Sequence, residues 1–406
     1  MMLEYFQNLA QQLEQRLDAG SDPYVARKTL ALEIARFGTR LYSGEHSVAW
    51  TGVLAPFDLL HAMGVTSCFV EFIGAMLSSS GGVVPMLEAS ELAGFSTDGC
   101  SYHRSVEGAA TQGLMPEPDF LIGTTAPCTG GLAAIENLAT HFDKDLFVIH
   151  VPQPDVPGAV DYLARQLEEM AAFVTAHTGQ PLDSERLAAA IEQTNRTRAA
   201  LVEMNELASH VPTPARRRDL VNLGIVMALF LGTETGTRIA ETYRDEFRRK
   251  IEEGDAGVPG ERVRLMWLQN RIQFKHPLEL MLAEAHHAAV VIDEFNDVPW
   301  EPIDPADPFT SLARRTLSNG LCGGVERRIT TLQRLARDYR AHGAINPCHW
   351  GCRQGTGARG LVEEGLREVG IPVLNLELDC VDPRNFGEGQ LRTRLQAFIE
   401  MLDERV

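Results

Sequence analysis

Cysteines carry most of the chemistry that this sequence can offer. Six of the seven cysteines are predicted to fall in turns or at strand ends, where a small apolar side chain has little packing role. These loop cysteines are Cys100, Cys128, Cys322, Cys348, Cys352 and Cys380. The seventh, Cys68, lies inside the apolar run 65–72 and is predicted to pack in the core. An odd number of cysteines in a chain without a secretory leader favours metal binding or catalysis over a disulfide framework.

The surroundings of the loop cysteines suit a negatively charged metal centre. Cys100 lies in a polar loop that opens a helix, Cys128 follows the strand predicted at 120–124, and Cys348 and Cys352 follow the strand predicted at 343–346. Neighbouring glycines let backbone N–H groups approach such a centre, and helix N-termini stabilise its charge and lower thiol pKa values. A ligand set made only of sulfur favours iron–sulfur or zinc over magnesium or calcium.

The spacing of the cysteines separates these two metals. A structural zinc site usually shows two paired C-x2-C units. Here the close pair is Cys348 with Cys352, and the loop cysteines spread over about 280 residues. Such a spread favours a cluster at the seam between two domains.

A glycine motif, the missing P-loop pattern and two histidines also bear on this interpretation. Gly355, Gly357 and Gly360 match G-x-G-x-x-G, but the cysteine-bearing segment 347–354 separates them from the preceding strand, which argues against NAD binding. No P-loop sequence is present, so we do not expect ATP hydrolysis by this chain. His103 and His349 lie beside the cysteines and are candidate catalytic proton donors or hydrogen-bond donors to sulfide.

Apolar runs that alternate with helical patterns predict the α/β class. Strands are expected at 48–53, 66–72, 120–124, 146–151, 288–293, 343–346 and 373–378. We expect two doubly wound parallel-sheet domains, flavodoxin- or Rossmann-like, facing each other across a cluster-binding cleft, with N-terminal and central helical segments. The predicted divisions are N-terminal helices at 1–45, a first α/β domain at 46–157, a helical segment at 158–260 with one helix over 218–251, and a second α/β domain with a C-terminal helix at 261–406.

Charge and hydropathy limit the classes of partner and the cellular location that we expect for this chain. The formal net charge of −18 argues against nucleic acid and anionic membranes as partners. The most apolar run, 220–232, is shorter than the ~18 residues of a membrane span. The segment 1–18 lacks the basic and apolar regions of a secretory signal, so a cytoplasmic location is expected.

Several motifs resemble the 2-hydroxyacyl-CoA dehydratase and benzoyl-CoA reductase family. They are HWGCRQ at 349–354, GIPVLNLELD at 370–379, QLRTRLQAFIEML at 390–402 and FLIGTT at 120–125. The resemblance implies two α/β domains with a helical part, and a [4Fe–4S] cluster on three cysteines that match Cys100, Cys128 and Cys352 by order and context. It also implies a separate dimeric ATPase, the activator, which carries its own [4Fe–4S] cluster and delivers single electrons. In the dehydratases of this family a thioester then loses a hydroxyl group.

The surplus cysteines Cys322, Cys348 and Cys380 look like those of the double-cubane cluster proteins, a branch of the same superfamily. That resemblance implies a homodimer in which six cysteines of each subunit hold an [8Fe–9S] double cubane that reduces a small-molecule substrate. Our first interpretation is therefore a double-cubane reductase, with His103 or His349 as proton source. The alternatives are an (R)-2-hydroxyacyl-CoA dehydratase subunit with one [4Fe–4S] cluster and a non-catalytic iron–sulfur electron carrier.

Overall fold

Two parallel sheets form the framework of the chain. The computed structural model describes residues 2–20 and 24–405, and within these ranges eight strands are found. The strands are β1 (Val48–Thr51), β2 (Thr66–Phe69), β3 (Phe120–Thr124), β4 (Leu146–Ile149), β5 (Val263–Trp267), β6 (Ala288–Asp293), β7 (Gly343–His349) and β8 (Val373–Leu378).

The two sheets share one topology. The first has the order β2-β1-β3-β4 and the second the order β6-β5-β7-β8, and every neighbouring pair is parallel. In each sheet the strand order reverses at the centre. The reversal lies between β1 and β3 in the first sheet and between β5 and β7 in the second. The loops that follow those strands diverge and leave a crevice at their carboxyl ends. The expected fold class, two flavodoxin-like parallel-sheet domains, is confirmed.

Helices cover both sheets and fill the space between them. They are α1 (Met2–Asp18), α2 (Ala26–Tyr42), α3 (Phe57–Ala62), α4 (Val70–Ser80), α5 (Val83–Leu92), α6 (Ser101–Thr111), α7 (Thr129–Phe142), α8 (Ala159–Thr178), α9 (Ser184–Ala208), α10 (Arg217–Ile225), α11 (Glu234–Glu253), α12 (Leu278–Leu280), α13 (Pro308–Ser318), α14 (Val325–Asp338), α15 (Arg353–Gly357), α16 (Arg359–Glu368) and α17 (Glu388–Asp403). Within residues 2–20 and 24–405, no helix combines the length and the apolar character needed to cross a membrane.

The core explains why the strands read as unbroken apolar runs. Adjacent residues of β1 belong to different apolar clusters. Trp50 is in the cluster that includes strands of the second sheet, and Ala49 is in the cluster that includes residues of α8 and α13. The cluster around Trp50 continues into the second sheet, so one apolar core joins the two domains. Cys68 is fully buried in this cluster, which confirms its predicted packing role.

Three expectations about local structure were wrong in detail, and one strand was missed. The strand predicted at 66–72 ends at Phe69, because the chain turns directly into α4, where Gly74 packs against the backbone of Tyr102. The helix predicted over 218–251 is interrupted by a π-helical turn and then by Gly232, whose φ of +83° breaks the helical path. The strand β5 was not predicted. The strand predicted at 343–346 runs on to His349, so Cys348 lies inside β7 rather than after it.

Candidate functional site

Three cysteines stand immediately before the first residue of a helix. Cys100 is the N-cap residue of α6, Cys128 that of α7 and Cys352 that of α15. Cys128 follows β3 and Cys352 follows β7, so two of these thiols lie at the crevices where the topology of the two sheets places a ligand. N-terminal N–H groups and the helix dipole favour negative charge at all three positions.

These three thiols are partly buried and lie near one another. Burial raises the pKa of Cys100, and a charge on Cys352 or Cys128 raises it further. Burial also raises the pKa of Cys128, with a further contribution from Cys352. Cys352 is therefore close enough to the other two thiols for its charge to act on both. Cys100 and Cys128 line a cavity of about 690 Å³, whose wall continues into Arg353, the residue after Cys352.

Hydrogen-bond donors surround the three sulfur atoms. The Cys352 sulfur accepts from the backbone N–H of Gly355 and from the side-chain amide of Gln269, each at 3.4 Å. The backbone N–H groups of Gly130 and Gly131 face the Cys128 sulfur and oppose the effect of burial on its pKa. Donors in these positions stabilise thiolates and any anionic group that thiolates hold.

His349, a residue of the second domain, contacts the sulfur atom of Cys100. The backbone N–H of Cys380 donates to its Nδ1 atom at 3.0 Å, so a neutral ring carries its proton on Nε2, which lies 3.3 Å from the Cys100 sulfur. Burial lowers the pKa of His349 to about 4 despite the nearby Asp379. His349 is thus a neutral donor to the Cys100 sulfur, and it lies behind that residue rather than in the wall of the cavity.

The cavity wall carries His103 and a residue that the sequence patterns did not single out, Glu107. His103 contacts the Glu71 carboxylate, with 3.2 Å between Nε2 and Oε1. Burial raises the pKa of Glu107 to about 7, although the Asn137 amide that donates to it opposes the shift. Glu107 lies four residues after His103 on α6, and this helical spacing was the signal that could have identified it.

The remaining loop cysteines are placed unequally. Cys380 is fully buried next to Cys100 and Cys352, and charges on those two thiols raise its pKa further. Cys348, inside β7, lies 3.5 Å from the Asn375 side chain, and burial raises its pKa to about 11. Cys322 occupies the loop between α13 and α14, where burial raises its pKa to about 11 and Arg327 opposes the shift.

The two domains meet at the cysteine loops. The hydroxyl of Ser101 donates to the Asp379 carboxylate of the second domain, at 2.5 Å from Oδ1. Gly351 has a φ of +77°, and a Cβ atom there would lie 2.7 Å from the backbone nitrogen of Cys100. Glycine is required at this position because the two loop backbones touch.

The donor set can be tested against the metal centre that the sequence predicts. Within residues 2–20 and 24–405, no three His, Cys, Asp or Glu side chains close around the position of a single metal ion. The three partly buried thiols instead lie within electrostatic reach of one another beside a cavity, and they accept or face N–H donors. Thiolates in such a setting fit a multinuclear iron–sulfur group better than one zinc ion.

The glycines that match a dinucleotide motif do not occupy the position such a motif requires. Gly355 and Gly357 belong to α15, and Cys352 separates them from the end of β7. An added Cβ atom at Gly355 would lie 3.6 Å from the Cys352 sulfur. The first glycine therefore packs beside the candidate metal ligand.

Fold and site together define a two-domain α/β protein with a cysteine-lined cleft between its halves. Residues 53–402 match the family model described as 2-hydroxyglutaryl-CoA dehydratase, D-component, and the chain belongs to this family. The predicted membership of the 2-hydroxyacyl-CoA dehydratase and benzoyl-CoA reductase superfamily is thereby confirmed. The narrower double-cubane branch stays a prediction.

Curated relatives agree with this membership. The alpha subunit of lactoyl-CoA dehydratase from Anaerotignum propionicum is 23% identical, over 88% of this chain and 90% of its own length. One of the subunits of benzoyl-CoA reductase from Thauera aromatica is 24% identical, over 86% and 85%. The alpha subunit of (R)-phenyllactyl-CoA dehydratase from Clostridium sporogenes is 22% identical, over 87% and 89%. These relatives are enzyme subunits, which supports an enzymatic role for this chain.

Proposed function

We propose that this chain is an iron–sulfur subunit of the 2-hydroxyacyl-CoA dehydratase type, with one [4Fe–4S] cluster held by Cys100, Cys128 and Cys352. One observation carries the proposal: three helix N-cap cysteines from both domains lie within electrostatic reach of one another beside a cavity of about 690 Å³. When bound, such a cluster supplies single electrons at low potential. The named relatives that are dehydratase subunits favour this reading over a reductase of small molecules.

The residues of this chain would hold and shield the cluster. In the cluster-free chain burial favours the neutral thiols of Cys100 and Cys128, so loading releases protons from them. Gln269, Gly355 and His349 then donate hydrogen bonds to the cysteine sulfurs and offset the negative charge of the centre.

The substrate and the electron donor follow from the same proposal. We infer that a 2-hydroxyacyl thioester places its acyl part in the cavity, where Arg353 supplies positive charge on the wall of a chain with a net charge of −18. We further infer that a separate ATPase activator delivers the electrons, because this chain carries no P-loop sequence.

The first experiment measures iron and sulfide after anaerobic reconstitution. We expect about four iron atoms per chain, and loss of the cluster's EPR signal when Cys100, Cys128 or Cys352 is replaced by serine. Cys68→Ser is the matched control, because Cys68 is a fully buried core residue that does not line the cavity, and it should keep full iron content. Full iron content in any of the three ligand variants would contradict the proposed ligand set.

The second experiment tests the reaction. Reconstituted protein is incubated with an activator ATPase, ATP, a reductant and a panel of 2-hydroxyacyl-CoA esters, and the unsaturated thioester is quantified. We expect product that depends on both ATP and the intact Cys352 ligand. Iron-loaded protein that transfers electrons but dehydrates no ester of the panel would instead support an electron carrier.

A double-cubane reductase is the second candidate, favoured by the placement of Cys380. This thiol lies within electrostatic reach of Cys100 and Cys352, and Arg328 feels charge on both Cys352 and Cys348. About eight iron atoms per chain, halved by Cys380→Ser or Cys322→Ser, would select this candidate and reject the single cluster. The expected homodimer is tested in the same preparation by sedimentation.

A further inference from the structure

Glu107 is buried in the cavity wall with half of its carboxyl group unpartnered. Its residue exposure is 4%, and its Oε2 atom accepts a 2.6 Å hydrogen bond from the Asn137 amide. Its Oε1 atom has no hydrogen-bond partner. A buried polar atom without a partner costs free energy, so such an atom beside a cavity indicates a ligand that completes it.

Helix α6 places the carboxyl group of Glu107 on the same helix face as the candidate ligand Cys100. Cys100, His103 and Glu107 are separated by three and four residues at the start of α6, so they share one face of the helix. All three line the cavity, together with Cys128 and Asn137 from the second helix of the wall, α7.

Burial favours the neutral form of Glu107, whereas His103 and the Asn137 amide favour the ionised form. Arg104, the nearest cation along the helix, is held by the Glu91 carboxylate instead. The charged group that acts on Glu107 is His103, which itself contacts Glu71. Burial is the largest influence and raises the pKa of Glu107 to about 7, so a large share of the side chain carries a proton near neutral pH.

We propose that Glu107 is the acid that donates a hydrogen bond, and then a proton, to an oxygen atom of the substrate in this cavity. This role rests on the proposed dehydratase function. In the dehydration the C–O bond breaks with its electron pair going to oxygen, which takes the Glu107 proton and leaves as water. The neighbouring carbon loses one proton to solvent, and the electron pair of that C–H bond forms the C=C bond. Solvent returns one proton to Glu107, so atoms and electrons balance.

The protonation state is tested first on the protein without any cluster. Infrared difference spectra of wild type and Glu107→Gln are recorded across a pH titration. We expect a carboxylic-acid band, absent from the variant, that disappears as the pH rises through about 7. A Glu107 side chain that is already ionised at pH 5 would overturn the proposal, whatever the fate of the cluster.

Turnover is tested next on the iron-loaded enzyme. Glu107→Gln should keep its iron and change KM little, while kcat falls by about 100-fold or more, as expected for loss of a general acid. Glu136→Gln is the matched control, because Glu136 is exposed on α7, one residue before Asn137, and it should behave as wild type. Wild-type kcat in Glu107→Gln would reject the acid role. Loss of iron from wild type and variants alike would reject the proposed function alone.

A second variant separates proton donation from mere structural support. Asn137→Leu removes the amide that stabilises the Glu107 carboxylate, so the pKa of Glu107 should rise. Because the acid must be protonated, activity declines as the pH rises through that pKa, and the variant should move this decline to higher pH. An unchanged pH profile in a folded, iron-loaded Asn137→Leu protein would contradict the proposal.

Discussion

The Nε2 atom of His349 lies 3.3 Å from the sulfur of Cys100, across 249 residues of chain. His349 ends a strand of the second sheet, whereas Cys100 begins a helix of the first domain. This contact therefore joins the two halves at the candidate cluster site.

Replacing His349 by leucine should destabilise the protein and loosen this seam. The substitution leaves the buried N–H of Cys380 without its acceptor, which costs ~1–3 kcal/mol. The free energy of unfolding from urea titration measures the loss. His46→Leu at an exposed position is the control and should change stability by less than ~0.5 kcal/mol. Equal stability of the two variants would show that the His349 contacts do not matter.

Gly351→Ala should impair the site without touching a cysteine. An alanine at a φ of +77° costs ~1–2 kcal/mol in backbone energy alone, and its Cβ atom would press on Cys100. We expect lower stability and faster loss of iron to a chelator. Gly357→Ala, close by with nothing within 4 Å of its Cβ position, should retain wild-type stability and iron.

The ion pair between Asp58 of α3 and Arg315 of α13 should not tolerate the loss of one partner. The two side chains make two hydrogen bonds, of 2.5 and 2.9 Å. Burial opposes the ionised form of Asp58, but Arg315 outweighs it and lowers the pKa. Asp58→Ala should reduce the free energy of unfolding by ~3–5 kcal/mol, because it leaves Arg315 buried and uncompensated.

Two further variants check the origin of that loss. Asp58→Leu combined with Arg315→Met removes both charges and should recover most of the stability. Glu14→Ala removes an exposed pair with Arg36 and should cost less than ~1 kcal/mol. If the double variant lost as much free energy of unfolding as Asp58→Ala, the loss would come from packing and not from an unpaired charge.

His276 should make stability fall on acidification. Burial and the nearby Arg217 and Arg218 lower its pKa to about 3 in the folded chain, against ~6.5 when unfolded. The unfolded chain therefore binds a proton that the folded chain does not between these values, and stability drops as the pH falls from ~6.5 towards 3, by up to ~1.4 kcal/mol per pH unit. His276→Asn should flatten the pH dependence in urea titrations, and the exposed His46→Asn should not.

Local chemistry and periodicity were readable from the sequence alone. Alternating apolar runs and helical patterns predicted the two parallel sheets, because a strand buried on both faces must be apolar throughout. The loop context of six cysteines was enough to separate them from the core, because glycine and polar neighbours leave a thiol no packing role, and the family resemblance then pointed to Cys100, Cys128 and Cys352 among the six. Cys68 was assigned to the core for the opposite reason.

Which side chains meet was decided by the tertiary structure. Sequence spacing does not show that the Cys348 sulfur lies beside the Asn375 side chain while Cys380 is buried within electrostatic reach of Cys100 and Cys352. Those positions depend on where β7 ends and how the domains pack. Glu107 became a candidate acid only when α7 and the cavity enclosed it, since burial, not residue type, raises its pKa. Local patterns identify residues that can react, and packing between distant segments sets their partners, burial and charge.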